Sequence, residues 1–255
     1  MKKSIRTLAG AAALAMTMVA AADSLQGKIE WSRRVAVNTG VSGQVRAIHV
    51  TPGEAVVAGQ VLVELDPVLF QIRVRQARSQ EALYAAELDA QQADFEREQA
   101  LFDEGSLSTV QLKLEQLSLS RALAAHTFAV LELERAQHRL DLTRLKAPFD
   151  AWVIESSFEL GAYAASDAEA PATVILAERG VYAAHLLADR ALANRLVAGT
   201  AVTVRVSGQR FAGTVVGTGL EPTTTVDGAT GYLVTIRFES RALIRAGTPC
   251  AVDLP

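Results

Sequence analysis

Cysteine is all but missing from these 255 residues: Cys250 is the one example. No internal disulfide can therefore staple the fold, and a lone cysteine reads as a small buried hydrophobe. Aromatic residues make up 5% of a chain that is 50% apolar, a bias toward Ala, Leu and Val that suits long helices and small β modules better than a deep enzyme core. Positive charge is not in excess either. The formal net charge is -3 and the isoelectric point about 5.9, which leaves no basic face for nucleic acid, and no such partner is expected. No phosphate-cradling glycine loop and no nucleophile elbow occurs. The histidines, His49, His126, His138 and His185, lie in different segments without ligand spacing, so no metal site, cofactor or catalytic group is expected. The carboxylates of the middle region alternate with arginine, which reads as a solvated charged face.

Long apolar runs are missing beyond the N-terminus. There, Lys2, Lys3 and Arg6 precede an apolar run, Leu8 to Ala22, that ends in Ala20-Ala21-Ala22 before Asp23. A positive start, a short apolar stretch and small residues at its end describe a secretory signal, with cleavage expected after Ala22. The run falls short of the about 20 residues that a spanning helix needs. The mature chain is expected to be exported and soluble, in the periplasm and associated with the inner membrane.

Glycine and proline vanish from residues 68–104 and again from 106–147. Both stretches are rich in Ala, Leu, Gln, Glu and Arg, strong helix formers, and Gly105-Ser106 is the break between them. Two long helices around a short turn make an antiparallel hairpin, each arm reaching about 55 Å. In the second helix one heptad-like stripe runs through Leu114, Leu117, Ala124, Phe128, Leu131, Leu142 and Leu145, interrupted by Arg121, Arg135 and His138. Another runs through Leu112, Leu119, Leu123, Val130, Leu133 and Leu140. In the first helix Leu69, Ile72, Leu83, Ala86, Ala90, Ala93 and Ala100 recur at similar spacing and are expected to form a seam of mostly small residues. Heptad spacing implies a left-handed coiled coil. The second helix carries more apolar surface than one partner helix can bury, which points to lateral packing against a neighbouring subunit.

The flanks read as β. Val45, Ile48 and Val50, then Pro52-Gly53, then Val56, Gly59, Leu62, Val63 and Leu65 alternate apolar residues with turns. After the helices, Ala151 to Tyr163 repeats the pattern: Gly43 to Gly53 and Ala151 to Gly161 span the same ten positions, with Val45 matching Val153 and Val50 matching Phe158. One two-fold β unit has been split, and the hairpin sits between its halves. From Ala172 onward, strands expected at Val174–Ala177, Tyr182–Leu187, Ala201–Val206, Arg210–Val216, Tyr232–Phe238 and Cys250–Leu254, with a short helix Asp189–Leu196, suggest a small barrel or sandwich.

The run Gly43-x-Val45-x-x-Ile48-x-Val50-x-x-Gly53-Glu54-x-Val56-x-x-Gly59-Gln60-x-Leu62-x-x-Leu65-Asp66 resembles the first lipoyl half-motif of the membrane fusion protein family, the periplasmic adaptors of tripartite efflux and type I secretion systems. Leu145-Lys146-Ala147-Pro148-Phe149-Asp150 is similar to the second half, with Ala151 where the family usually has Gly. The resemblance implies an α+β fold, mainly β, in which a lipoyl/biotinyl-like domain is split by an antiparallel coiled-coil hairpin and followed by a small β-barrel. The implied divisions are a signal peptide at 1–22, an N-terminal strand segment at 23–40 as part of a membrane-proximal region, lipoyl halves at 41–66 and 146–171, the hairpin at 67–145 and the barrel at 172–255. Gly43, Gly53, Gly59, Asp66, Pro148 and Gly161 are the expected turn residues of the lipoyl fold. Lipoyl and biotinyl carriers present a modifiable lysine where their halves join. Here the hairpin occupies that place and no lysine lies between Asp66 and Lys113, so covalent carriage is not expected.

At the hairpin tip, Arg97, Leu101 and Ser108 match the spacing by which family members engage the outer-membrane channel. Arg97 can bond a partner carboxylate or carbonyl, Leu101 can enter an apolar groove, and Ser108 doubles as a candidate helix cap. The bland alternative is a solvated arginine, a seam leucine and a cap. The resemblance implies a non-catalytic adaptor for small-molecule efflux. Its partners would be a TolC-like outer-membrane channel, an inner-membrane transporter of the RND type in preference to the ABC type, and further copies of itself in a hexamer. A type I protein-secretion adaptor, or a soluble periplasmic binding or chaperone-like protein that uses the hairpin as a tentacle, remain alternatives.

Overall fold

The computed structural model describes residues 24–224 and 230–254, so the signal-peptide reading of 1–22 lies outside the described residues. In chain order the elements are β1 (Ser24–Trp31), β2 (Arg34–Asn38), β3 (Gly43–Ile48), β4 (Ala55–Val56), β5 (Val61–Leu65), α1 (Val68–Asp103), α2 (Thr109–Asp141), β6 (Arg144–Lys146), β7 (Ala151–Ser156), β8 (Tyr163–Ala164) and β9 (Thr173–Glu178). They continue with β10 (Val181–Ala188), α3 (Arg190–Arg195), β11 (Ala201–Val206), β12 (Gln209–Thr224), β13 (Thr230–Glu239) and β14 (Pro249–Asp253). Two compact units result, one of residues 31–182 with 241–243, the other of 24–30, 183–240 and 244–254.

The first unit holds a sandwich of two four-stranded sheets, in the orders β2-β9-β7-β4 and β6-β5-β3-β8. Alternation aims Val45, Val56, Leu62, Leu65, Val153, Val174 and Leu176 into one shared core. Each such side chain, taken fully out of water, contributes about 1.5–3 kcal/mol. The split repeat becomes a pseudo-two-fold axis in the hydrogen bonding. Gly53 N–H donates to Val153 O at 2.7 Å and Gly161 N–H to Val45 O at 2.9 Å, while Val153 N–H donates to Glu54 O at 2.9 Å and Val45 N–H to Ala162 O at 2.8 Å. Side chains obey the same axis: Ala58 N–H donates to Asp150 Oδ1 at 2.9 Å, and its counterpart Ser166 N–H to Ser42 Oγ at 3.0 Å. Each half therefore supplies the partner the other lacks, which is why neither half is a stable sheet alone.

Of the expected turn residues, Gly53, Gly59 and Gly161 have φ of +90°, +81° and +82°, where a side chain would be strained. Gly43 is not in a turn: it lies within β3, paired with Ala164. Asp66 lies just before α1, its Oδ1 accepting from Val68 N–H at 3.0 Å, and Pro67 is the N-cap, already with helical angles. Proline is tolerated there because a helix start leaves its first N–H groups without intrahelical partners. Pro148 stands exposed just after the buried Ala147.

The 36 residues of α1 and 33 of α2 make arms of about 50 Å. Their seam departs from the expected one on α1. Leu69 and Leu83 are 71% and 56% exposed, and Ala86, Ala90, Ala93 and Ala100 also face out. The inward heptad is Phe70, Val74, Ala77, Glu81, Tyr84, Leu88, Gln91, Phe95, Glu98 and Phe102. Its aromatic and aliphatic members bury far more area than alanine does, and its polar members had broken the apolar pattern in the sequence. On α2 the inward side takes Leu112, Leu119, Ala122, His126, Ala129, Leu133, Ala136 and Leu140. His126 Nε2 lies 3.5 Å from Glu81 Oε1 across the seam.

The second unit is a closed barrel in the order β1-β10-β13-β12-β11-β14. Closure removes the free strand edges that would template aggregation. Val204, Ile236, Val252, Val234 and Ile29 are fully buried in it, and Cys250 is buried too. Sheet pairing divides the chain differently from the sequence reading at two places. Residues 23–40 do not form one segment: Ser24 to Lys28 pair with Asp253 to Pro249 in the barrel, while Arg34 to Asn38 pair with Ala177 to Thr173 in the sandwich. For the same reason β9, placed by the sequence reading in a barrel starting at 172, is a sandwich strand. Alternation announces a strand but not the sheet that claims it, since pairing is non-local.

Candidate functional site at the hairpin tip

The tip is built from two helix ends. α1 stops through a glycine in the left-handed region: Gly105 has φ +77°, its N–H donates to Phe102 O at 2.9 Å, and Ser106 N–H reaches Leu101 O at 2.9 Å. That pair of bonds is the Schellman closure, which satisfies carbonyls a helix end otherwise leaves open. α2 starts through a reciprocal cap. Ser108, extended at φ −80° and ψ 151°, accepts Gln111 N–H on Oγ at 3.2 Å, while Gln111 Oε1 accepts Ser108 N–H at 3.2 Å and the Ser108 hydroxyl at 2.8 Å. Both ends of the turn are thus tied down by local bonds, which holds the tip in one conformation.

On this frame Arg97 and Leu101 sit one turn apart on the last turns of α1, and Ser108 lies across the turn from them. Arg97 is 65% exposed and pairs with Asp94 at 2.9 Å. An exposed pair at this helical spacing is worth about 0.2–0.5 kcal/mol, so an external carboxylate or carbonyl can take the guanidinium at little loss. Leu101 is 37% exposed, a partly available apolar side chain. Ser108 is engaged first as a cap. Gln111, which completes the cap, was missed in the sequence reading, although serine followed three residues later by glutamine is a recognised capping signature.

Elsewhere the surface has shallow clefts. One of about 560 Å³ lies at the base of α1, lined by Gln44, Asp66, Leu69, Phe70, Arg73 and Tyr163 among others, with no nucleophile–base pair in it. Among the described residues no group of His, Cys, Asp and Glu is arranged to hold a metal ion. His126 pairs with Glu81 and His49 with Glu64 at 3.8 Å; His138 is exposed and His185 lies in β10. No helix among the described residues is long and apolar enough to cross a membrane.

Residues 33–176, the split sandwich with its hairpin, match the family model described as the RND membrane fusion protein barrel-sandwich hybrid domain. The chain belongs to the membrane fusion protein family. It is 31% identical over 149 residues to the multidrug resistance protein MdtA of Yersinia enterocolitica, a match covering 58% of this chain and 34% of that protein. It is 28% identical over 149 residues, with the same shares, to MdtA of Yersinia pestis. The chain thus spans about a third of the length of the curated relatives it matches. In fold it is similar to the membrane fusion protein Spr0693 from Streptococcus pneumoniae, with a TM-score of 0.66 at 14% identity, over 91% of this chain and 98% of that one. It is also similar to a MacA–MexA chimera carrying the Pseudomonas aeruginosa MexA α-hairpin, with a TM-score of 0.64 at 22% identity, over 90% of this chain and 76% of that one.

Proposed function

We propose that this membrane fusion protein is a periplasmic adaptor for small-molecule efflux. Its hairpin tip engages a TolC-like outer-membrane channel through Arg97, Leu101 and Ser108, and its barrel end serves an inner-membrane transporter of the RND type. Several copies act together as a hexamer. The observation that carries the reading is the tip itself: a turn locked by a Schellman closure and a reciprocal cap, presenting an exposed arginine held only by a weak pair beside a partly exposed leucine. A rigid frame lowers the ordering cost of docking, and arginine is suited to carboxylate or carbonyl partners. The multidrug resistance names of the relatives support efflux over protein secretion.

The test is capture of a TolC-like channel by the purified mature chain. Wild type retains the channel, and Arg97→Asp and Leu101→Asp each lose it while keeping their helical circular dichroism. Undiminished capture by both variants overturns the tip assignment.

A further inference from the structure

The cleft at the base of α1 lies within the unit that contains the sandwich. Helical spacing brings Asp66, Leu69, Phe70 and Arg73 onto one flank at the start of α1. Gln44 and Tyr163, also in its lining, are cross-strand partners on β3 and β8, so their side chains share one face of the sheet. The pseudo-two-fold axis gives these two a counterpart pair, Trp152 and Ala55, in which the large ring belongs to the longer strand and is half-buried. On the cleft side the ring stands instead on the short edge strand, where Tyr163 is 70% exposed, and Leu69 of the same lining is 71% exposed. The cleft therefore departs from the symmetry of the domain, and the departure leaves apolar surface in water that a ligand would cover.

The polar groups of the cleft are sorted by kind. Asp66 N–H donates to Gln44 O at 2.8 Å, which sets these two residues side by side. Asp66 spends Oδ1 on Val68 N–H and keeps Oδ2 open; Gln44 donates Nε2 to Gly161 O at 3.0 Å and keeps Oε1 open. That end of the cleft offers acceptors. Arg73, about 10 Å further along the helix axis, offers only donors. Neither Asp66 nor Arg73 has an ion-pair partner among the described residues. Leu69 and Phe70 lie between the two ends along the helix, and the Tyr163 ring lines the same cleft.

We propose that this cleft binds a small zwitterion with an aromatic body: its ammonium on Asp66 and Gln44 Oε1, its carboxylate on Arg73, and its ring against Phe70, Tyr163 and Leu69. The volume of about 560 Å³ suits a molecule of that size. Tyr163, opposite Gln44, places a ring near the ammonium end, where a cation–π contact adds to the attraction. Arginine at the other end is suited to a carboxylate. A ligand with one charge leaves one end of the cleft unpaired, and a ligand without a ring leaves the apolar surface wet, so both bind less well. The inference rests on the small-molecule efflux reading above and deepens it by naming the class of compound that the adaptor itself holds.

The test uses the full mature chain and the tripeptide Ala-Phe-Ala, whose free ends stand about 10 Å apart when extended; broadening of its phenyl proton signals reads binding. Wild type binds it, and acetylating the N-terminus or amidating the C-terminus weakens binding about tenfold or more each, as loss of a charge-assisted hydrogen bond does. Asp66→Asn, which keeps an oxygen for Val68 N–H, binds the free and acetylated peptides alike. Arg73→Gln binds the free and amidated peptides alike, and Tyr163→Ala weakens all three. Equal binding of the three peptides to wild type, unchanged discrimination in the two charge variants, or no broadening up to the solubility limit of the peptide overturns the inference. So does a change of sedimenting mass in Tyr163→Ala while wild type binds no peptide, which makes the cleft a contact between copies. Neither channel nor transporter enters the measurement. Peptide binding with lost channel capture by wild type sinks the tip assignment alone, and intact capture without peptide binding sinks this inference alone.

Discussion

Replacing Gly53, Gly161 and Gly43 by alanine in turn tests whether the split repeat is a physical symmetry or a resemblance of letters. Gly53 and Gly161 have φ of +90° and +82°, and at neither would an added Cβ meet anything within 4 Å. Steric clash therefore contributes nothing, and the cost is the left-handed penalty for a side chain, about 1–2 kcal/mol. The unfolded alanine chain has less entropy to lose, which offsets about 0.4–1 kcal/mol. Each variant is thus destabilised by about 1 kcal/mol, and the two values agree because the bonds they hold, Gly53 to Val153 and Gly161 to Val45, are equivalent. Gly43 lies in a strand without positive φ, and its added Cβ sits at an ordinary 3.5 Å from Leu65. Gly43→Ala is accordingly neutral or stabilising by about 0.5 kcal/mol. Trp152 lies in β7 of the sandwich, whereas Trp31 ends β1, a barrel strand, so the glycine variants are compared in a Trp31→Phe background, where tryptophan fluorescence during urea unfolding reports the sandwich. Costs at Gly53 and Gly161 that differ by more than about 1 kcal/mol, or a Gly43 variant as damaged as they are, refute the symmetry argument.

Ser108→Ala removes the cap of α2 and costs about 1 kcal/mol of hairpin stability by thermal circular dichroism, whereas Ser108→Asp restores most of it, since aspartate caps as well as serine. Channel capture that follows stability across the pair marks Ser108 as a frame residue; capture lost in both marks it as a contact. In the barrel, Gly27→Ala is far more damaging than its exposure suggests. Its Cβ would fall 2.5 Å from the backbone O of His185, so β1 cannot keep its place beside β10, and Cys250 becomes reactive to thiol reagents in native buffer.

Much of this fold is legible along the chain because the signals are local. The absence of glycine and proline from 68–104 and 106–147 announces two helices, and Gly105 and Ser108 mark where one ends and the next begins. The repeat of Val45 and Gly53 in Val153 and Gly161 announces a divided unit before any pairing is known. The tip residues are placed by the same local logic, since helix spacing alone puts Arg97 and Leu101 on one flank. The seam of α1 was less legible. Leu69, Leu83 and the alanines form as regular a stripe as Phe70, Tyr84, Leu88 and Phe95, and Glu81, Gln91 and Glu98 disguise the latter.

What the sequence by itself determined is therefore the set of elements, their order and the interruption of one β unit by a hairpin, all consequences of backbone propensity and period. What only the tertiary structure decided is allegiance: which helix face turns inward, that β1 joins the barrel and β2 and β9 the sandwich, and that Gly43 serves in a strand. Those choices depend on area buried against a partner distant in sequence, and no local pattern carries that quantity.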